Sequence, residues 1–343
     1  MAGAARAVVI PRFGGPEVLR VMEVPRSPLG TDSVRIRVGA SGINFADVQM
    51  RMGLYPEAPK LPFVPGFEIA GAVVEAGAGV TAFRPGDRVL GFTRFGGYSS
   101  EIVVPAEYVR RTPPSLTDAE AAAIPAAFAT AWISLMEMAR VRSGDRVLVP
   151  GAAGGVGSAM VQVAAGVGAH VVGLAGTSAK KDFVLSLGAR EAFTYDEWER
   201  SRSGQQFEVV VEPRGGASVR SSMAVLAPGG RVVCYGVSSM VTGLRRSVPR
   251  TLAALLKTPL LTPIGLAMSN HGVFGVNLLK YFDSEGSRRT IADSLGRVLE
   301  GFEKGTYRSA VGKTWRLEEA GLAHEFLQSR SATGKTVFVL DQK

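Results

Sequence analysis

A glycine-rich turn is the first part of the sequence that could do chemistry. VPGAAGGVG, residues 149–157, follows an apolar run and precedes a segment with helical character. In a strand–turn–helix unit, glycines let the backbone approach a pyrophosphate, and the helix directs N–H groups and its positive dipole end at it. The flanking strand and helix are the context that such a site requires. We therefore predict a dinucleotide site whose pyrophosphate contacts Ala153, Gly154, Gly155, Val156 and Gly157.

The type of dinucleotide depends on the end of the following strand. A site for NAD usually carries Asp or Glu there, about twenty residues after the glycines, to bind the ribose 2′-hydroxyl. No carboxylate occurs between His170 and Lys181, and VVGLAGTSAKK (171–181) offers hydroxyl and ammonium groups instead. Such groups suit a 2′-phosphate. The sequence favours NADPH held by Ser178 and Lys180, against the alternative of an N-cap serine followed by solvated lysines.

The rest of the chain supplies the elements that position this turn. Short β-like runs fill the first third, at 34–42, 69–77, 87–92 and 101–106. Apolar strands then alternate with helices, which is typical of a parallel sheet covered on both faces. The strands predicted in that region are 146–150, 170–175, 208–212 and 231–236. The tail is predicted to contain a strand at 272–279, a helix near 287–304 and a last strand at 335–340.

Composition and charge exclude several classes of protein. The net charge is +9, but the basic residues are scattered and not interleaved with aromatics, so no nucleic-acid site is predicted. Cys234 is the single cysteine, which excludes an internal disulfide and a cysteine-rich zinc site. No uninterrupted apolar run reaches the roughly 18 residues of a spanning helix, and no signal peptide is apparent. We expect a cytoplasmic protein.

Several motifs together resemble the medium-chain dehydrogenase/reductase superfamily over nearly the whole chain. They are GINFADVQMRMGLYP (42–56), the segment 61–91, AAGGVG (152–157), APGGRVVCYG (227–236) and GKTVFVL (334–340). The resemblance implies an α/β fold in which a GroES-like, β-rich catalytic domain accompanies a Rossmann dinucleotide-binding domain. The expected domains are the N-terminal catalytic part (1–124), the Rossmann domain (125–265), and the final Rossmann strand with the return to the catalytic domain (266–343).

The zinc ligands of the alcohol dehydrogenases in this superfamily are missing. Their patterns resemble G-[IV]-C-x-x-D and G-H-E, whereas this sequence has GINFAD and GFE. Asn44 stands in place of the cysteine and Phe67 in place of the histidine, which leaves Glu68 alone. Phenylalanine cannot ligate a metal, and one carboxylate does not make a tetrahedral site. No metal is therefore expected.

The zinc-free branch of the superfamily contains quinone and enone reductases. Without zinc to polarise an oxygen, the substrate must itself accept the electron pair, as quinones and α,β-unsaturated carbonyls do. The resemblance therefore implies an NADPH-dependent reductase of such small molecules. Within the branch the sequence looks most similar to the synaptic vesicle amine transport protein homologues, which are associated with membranes and lipid handling.

Two other functions stay open. The first is a membrane-peripheral or lipid-binding protein that retains the reductase fold, because Arg245, Arg246 and Arg250 precede the apolar run LAALL in a segment that extends to residue 268. A core or dimer segment is the favoured interpretation of that stretch. The second is an enzyme of a specialised biosynthetic pathway that uses the same pocket. Superfamily members commonly pair Rossmann sheets edge to edge, so a homodimer formed through VFGVN (273–277) is expected.

The resemblance also assigns roles to individual residues. Asn44 is expected to hydrogen-bond a substrate oxygen, although a turn or helix-capping role is the alternative. Asp47 is expected to orient its loop, and Tyr55 either to donate a proton or only to pack. Phe67 and Phe92 are expected to line the substrate pocket. Further cofactor contacts are expected from Tyr195, Gly236, Val237 and Asn277. Arg214 in EPRGG departs from the usual D-x-x-GG, and its role is left between phosphate binding and selection of an acidic substrate.

Overall fold

The computed structural model describes residues 4–201, 204–241, 243, 244 and 247–340. Its strands are β1 (Ala4–Val9), β2 (Arg20–Pro25), β3 (Ser33–Ile43), β4 (Glu68–Ala76), β5 (Arg88–Phe92), β6 (Glu101–Pro105), β7 (Val109–Arg111), β8 (Arg146–Pro150), β9 (His170–Ala175), β10 (Glu191–Thr194), β11 (Phe207–Glu212), β12 (Leu226–Cys234), β13 (Gly272–Gly275), β14 (Val311–Trp315) and β15 (Lys335–Val339). Its α-helices are α1 (Phe45–Arg51), α2 (Asp118–Ala122), α3 (Pro125–Trp132), α4 (Gly155–Gly166), α5 (Lys181–Ser186), α6 (Tyr195–Ser201), α7 (Ser218–Met223), α8 (Val248–Leu256), α9 (Pro263–Ser269), α10 (Glu285–Glu303) and α11 (Ala320–Gln328).

A six-stranded parallel sheet forms the nucleotide-binding half. Its strand order is β10-β9-β8-β11-β12-β13, which is the 3-2-1-4-5-6 order of a Rossmann fold. Its central strands are buried because they carry continuous valines, among them Val147, Val171 and Val209. The order reverses between β8 and β11, and this reversal opens a crevice at the carboxyl ends of the strands.

A seven-stranded, mostly antiparallel sheet forms the other half. Its order is β14-β15-β3-β4-β5-β7, and β6 also pairs with β3. β15 lies antiparallel to β3, with Thr336 opposite Ile43, so the last strand of the chain is inserted beside a strand from its beginning. The predicted return of the tail to the β-rich half is thus present, and the predicted fold class is confirmed.

The two halves meet where β15 begins. The Gly334 N–H donates to the carbonyl of Ala153 at 2.8 Å, and Gly154 and Gly334 form an isolated parallel bridge. Gly334 has a φ of +71°, and a Cβ there would collide with the carbonyl oxygen of Ala310. Only glycine fits this position without strain. The phosphate loop is thereby joined directly to the catalytic sheet.

Helix boundaries follow the local signals of the sequence. Thr117 and Glu120 form a capping box at the start of α2, and Pro125 is the first residue of α3. The strand predicted at 272–279 is too long, because β13 ends at Gly275. Asn277 then caps a 3₁₀ turn by accepting a hydrogen bond from the N–H of Leu279 at 3.1 Å.

Candidate active site

A deep cleft of about 1200 Å³ lies at the reversal point of the Rossmann sheet. One part of it is lined by the glycine-rich turn and the loops after β9, β11 and β12. The other part is lined by α1 and the aromatic residues near β4 and β5. A ligand in the cleft would therefore contact both halves of the molecule, as a cofactor and its substrate must.

The predicted phosphate loop is shaped for close approach of a ligand. Ala153, Gly154, Gly155, Val156 and Gly157 all line the cleft. α4 begins at Gly155 after the extended Gly154, so its first N–H groups and positive dipole end are at the loop. A Cβ at Gly157 would collide with the carbonyl oxygen of Gly151, which keeps the helix against its strand. The residues present fit a pyrophosphate.

Basic residues collect at the far end of the cleft. Lys180 lines it, and its Nζ donates to the carbonyls of Arg330 and Ala332 at 2.9 and 2.8 Å. Burial lowers the pKa of Lys180. Ser178 begins the adjacent 3₁₀ turn but is exposed and is not among the residues that line the cleft.

Arg330 is a site residue that sequence reasoning missed. It lines the same end of the cleft, has a φ of +58°, and its guanidinium makes no hydrogen bond or ion pair within the part of the chain described. The only signal in the sequence was a basic residue in the turn before the last strand. With Lys180 it provides two cationic groups at the end of the cleft where a 2′-phosphate is expected.

Tyr195 and Arg214 stack beside these cations. The Arg214 guanidinium carbon lies 5.3 Å from the centre of the Tyr195 ring, and its Nε lies 3.3 Å from Oε1 of the buried Glu212. Both residues line the cleft. Glu212 neutralises the charge of Arg214. We therefore infer that the flat Arg214 guanidinium packs against the Tyr195 ring and is less available as a phosphate ligand.

Gly236, Val237 and Asn277 lie where the cleft passes towards the catalytic half. The Val237 carbonyl accepts a long hydrogen bond of 3.4 Å from Gln49 Nε2, which joins this loop to α1. Asn277 donates through Nδ2 to Glu57 Oε1 at 3.0 Å. The three residues thus line the same cleft, and the hydrogen-bond partners of Val237 and Asn277 are Gln49 and Glu57 of the catalytic half.

Asn44 is held by two oppositely charged side chains. Its Nδ2 donates to Glu68 Oε1 at 2.9 Å, and its Oδ1 accepts from Lys335 Nζ at 2.6 Å. Glu68 and Lys335 are buried and form an ion pair of 2.7 Å. Asn44 also precedes α1 as its N-cap, which was the alternative role considered for it, and it lines the cleft.

Asp47 is fully buried and does not itself line the cleft. Its carboxylate accepts hydrogen bonds from the N–H groups of Asn44 and Gly66 and from the hydroxyl of Tyr98, at 2.7, 3.1 and 2.8 Å. Burial raises the pKa of Asp47 to about 7, and these hydrogen bonds only partly oppose that effect. The geometry fits a residue that orients the loop around Asn44.

Aromatic side chains wall the catalytic part of the cleft. The Phe67 ring centre lies 6.3 Å from that of Tyr55 and 5.8 Å from that of Phe95. Phe92 lines the cleft but is almost wholly buried against Phe282. Burial raises the pKa of Tyr55 to about 12, so its phenol stays protonated near neutral pH. The phenol oxygen makes no hydrogen bond within the residues described.

The residues around Phe67 and Glu68 do not fit a zinc ion. Phe67 has no donor atom, and both oxygens of Glu68 are engaged, Oε1 by Lys335 and Asn44 and Oε2 by the Ala126 N–H at 2.7 Å. Among the described residues there is no group of three or more His, Cys, Asp or Glu side chains placed to hold a metal. A buried ammonium group balances the charge of Glu68.

Comparisons with known proteins agree with this geometry. Residues 30–114 match the family model "Alcohol dehydrogenase GroES-like domain", and residues 155–258 match "Zinc-binding dehydrogenase". The chain is also 31% identical to a quinone oxidoreductase of Rattus norvegicus over 98% of each protein. The chain belongs to the medium-chain dehydrogenase/reductase superfamily. Despite the name of the second model, this chain has Asn44 and Phe67 at the two motif positions where a cysteine and a histidine are typical of the zinc-dependent members.

Other superfamily members resemble the chain along its whole length. It is 32% identical to the human synaptic vesicle membrane protein VAT-1 homolog-like, over 98% of this chain and 81% of that protein. The structure of mycobacterial Rv1454c complexed with NADPH superposes with a TM-score of 0.84 at 27% identity, covering 98% of this chain and 100% of the other. These findings support a cofactor-binding oxidoreductase, and they confirm the predicted resemblance to both groups.

Within the residues described, no helix is both long and apolar enough to cross a bilayer.

Proposed function

We propose that the protein is an NADPH-dependent, zinc-independent reductase that transfers a hydride to a quinone or an α,β-unsaturated carbonyl compound. The observation that carries the proposal is the continuity of the cleft. It runs from the phosphate loop and its cations to an aromatic pocket in which Asn44 and Phe67 occupy the positions of metal ligands. Bound NADPH would supply the hydride, and the protein's own residues would bind and orient the acceptor.

The type of acceptor follows from the donors in the pocket. Asn44 and Tyr55 are neutral hydrogen-bond donors, which stabilise a developing oxyanion less than a divalent cation does. A simple ketone would place the full charge on one oxygen. A quinone or enone spreads that charge over its conjugated system, and its flat rings or double bonds suit walls made of Tyr55 and Phe67.

A preference for NADPH over NADH is supported by charge. No carboxylate occurs between the end of β9 and Lys181, while Lys180 and Arg330 line that end of the cleft. A cation near the ribose would form a hydrogen-bonded ion pair with a 2′-phosphate, whereas a 2′-hydroxyl offers it a hydrogen bond without an opposite charge. An aspartate or glutamate at the same place would have the opposite effect.

The proposal is tested by mixing the purified chain with NADPH and a panel of quinones, enones and saturated ketones. Loss of the reduced nicotinamide absorbance is expected with conjugated acceptors and not with the saturated ketones. NADH should be oxidised much more slowly. Failure to oxidise NADPH with any quinone or enone, or equal activity on saturated ketones, would refute the proposal.

A second candidate function is binding at a membrane surface. Apolar side chains of α8 and α9 and the loop between them are strongly exposed: Leu256 by 78%, Leu260 by 91%, Ile264 by 77% and Met268 by 84%. Arg245 and Arg246 lie outside the described residues, as does the side chain of Arg250. Flotation with anionic vesicles tests this function, and Ile264→Asp/Met268→Asp should abolish any binding.

A homodimer is the competing use of the same surface. β13 is an edge of the Rossmann sheet and lies next to α9 in the chain, and Phe274 in it is partly exposed. A second copy could add its own β13 there and cover the apolar residues. Light scattering should then give twice the chain mass, and Phe274→Glu should yield monomers. A monomeric wild type would contradict the dimer.

A further inference from the structure

The ammonium group of Lys335 has no spare donor. Its Nζ donates to the Ile43 carbonyl at 2.9 Å and to Asn44 Oδ1 at 2.6 Å, and it lies 2.7 Å from Glu68 Oε1. A lysine has three N–H donors, so these three oxygens use them all. Because Lys335 and Glu68 are both buried, the ion pair is shielded from water and from screening by salt.

This pair leaves the carboxamide of Asn44 only one orientation. A lysine can only donate hydrogen bonds and an ionised carboxylate can only accept them, so Oδ1 must face Lys335 and Nδ2 must face Glu68. A flipped amide would place oxygen against carboxylate and N–H against ammonium. One of the two Nδ2 hydrogens is left without a partner among the described residues. The cation on Oδ1 also polarises the amide, which strengthens that remaining N–H as a donor.

The same lysine also reaches the cofactor side of the cleft. Its stem passes the phosphate loop so closely that a Cβ at Gly155 would lie 3.0 Å from Lys335 Cδ. The preceding Gly334 is hydrogen-bonded to Ala153 in that loop. Lys335 therefore connects the turn expected to hold the cofactor with the amide expected to meet the substrate.

We propose that Lys335 and Glu68 are positioning residues for reduction, and that they present the unpaired N–H of Asn44 to the substrate oxygen. The inference rests on the proposed function. Bound NADPH would supply a hydride, so that the acceptor would gain a C–H bond at its conjugated carbon while the π pair moved to its carbonyl oxygen, leaving NADP⁺ as the oxidised product. The oxygen accepts the Asn44 hydrogen bond while it carries this charge, and a proton from water completes the two-electron reduction.

The positioning can be measured without any turnover. The chain contains only three asparagines, Asn44, Asn270 and Asn277. Selective ¹⁵N-asparagine labelling thus gives three pairs of side-chain amide signals, and Asn44→Ala identifies one pair. In the wild type, one Asn44 proton should be shifted downfield and protected from exchange. Both effects should be lost in Lys335→Met/Glu68→Gln, which removes both charges and leaves neither one buried alone. Unchanged Asn44 signals in that variant would overturn the proposal.

Kinetics then test whether the pair acts through Asn44. Asn44→Ala and Lys335→Met/Glu68→Gln should each lower kcat roughly 100- to 1000-fold, as loss of one oxyanion donor does. The triple variant should fall no more than about threefold below Asn44→Ala, because residues that act as a unit are not additive. Losses that multiply would contradict a shared role.

A matched control is available in the chain. Lys313→Met removes a lysine that stacks on Trp315 outside the cleft, and it should leave kcat unchanged. The Kd for NADPH should stay within about threefold of wild type in every variant. A wild type inactive on all acceptors would refute the proposed function, whereas the amide signals would still decide whether Lys335 and Glu68 orient Asn44.

Discussion

The hydroxyl of Tyr98 donates a hydrogen bond of 2.8 Å to Oδ2 of Asp47, and both side chains are completely buried. The same carboxylate accepts the N–H groups of Asn44, which precedes α1, and of Gly66, which precedes Phe67. A single buried acid therefore connects the helix cap at Asn44 with the loop before Phe67. The ionisation of Asp47 should consequently be visible in the stability of the whole protein.

Asp47 should make a contribution to stability that diminishes as the pH rises. Burial raises its pKa to about 7, whereas an unfolded aspartate titrates near 3.9. Between roughly pH 4 and pH 7 the folded chain binds the extra proton, so this contribution falls by about 1.4 kcal/mol per pH unit. The unfolding free energy of the wild type minus that of Asp47→Asn should therefore decrease over this range and level off above it. This difference is measured by urea unfolding of both proteins at a series of pH values.

Tyr98→Phe provides the control for this titration. The Tyr98 hydrogen bond lowers the pKa of Asp47, so its removal should move the pH-dependent range upward. Two outcomes for the difference in unfolding free energy between the wild type and Asp47→Asn would contradict the raised pKa of Asp47. One is a difference that grows with pH, which would indicate a lowered pKa, and the other is a difference that does not change with pH.

Cofactor preference should depend on Lys180 and Arg330. Lys180→Ala and Arg330→Ala should each raise the Kd for NADPH about tenfold or more, because each removes a charge-assisted contact with the 2′-phosphate. The Kd for NADH should change less than about twofold. Lys181→Ala is the matched control, since the Lys181 ammonium is paired with Glu197 Oε1 at 2.8 Å and does not line the cleft. An unaltered NADPH preference in both variants would show that the phosphate lies elsewhere.

Tyr55 should act as a hydrogen-bond donor and not as an acid that titrates near neutral pH. Its pKa is raised to about 12 by burial, so the phenol is protonated at every practical pH. Tyr55→Phe should lower kcat/KM roughly tenfold, the value of one hydrogen bond, without adding or removing an inflection in the pH profile. A change in kcat/KM of less than twofold would indicate that the Tyr55 side chain only packs in the pocket and donates no hydrogen bond to the substrate.

Phe67 should limit the size of the acceptor. Its ring stands between Tyr55 and Phe95 and lines the cleft. Phe67→Ala should therefore raise the kcat/KM ratio of a bulky quinone over a small one roughly tenfold, and Phe67→Leu by less. Equal effects on both quinones would indicate that the ring supports the fold without contacting substrate.

Local patterns were sufficient to predict much of the fold and the position of the glycine-rich turn. The turn at 149–157 lies between β8 and α4 as expected, because glycine content and apolar runs are local properties. Asn44 could be identified from the motif around it. Its partner Lys335 could not be assigned, because nothing in the spacing shows that residues 291 positions apart meet. Arg330 was missed for the same reason.

The pairing of β15 with β3 has a consequence for the order in which the protein folds. The contact between Lys335 and Ile43 joins residues 292 positions apart, which makes it among the most entropically demanding to form from an open chain. The Rossmann sheet lies between them in sequence and its strands pair over shorter distances. Its prior folding would shorten the loop that remains to be closed. We therefore expect the pairing of β15 with β3, and with it the contacts of Lys335, to form late in folding. The cofactor-binding turn and the Asn44 pocket would then become functional in a single final step.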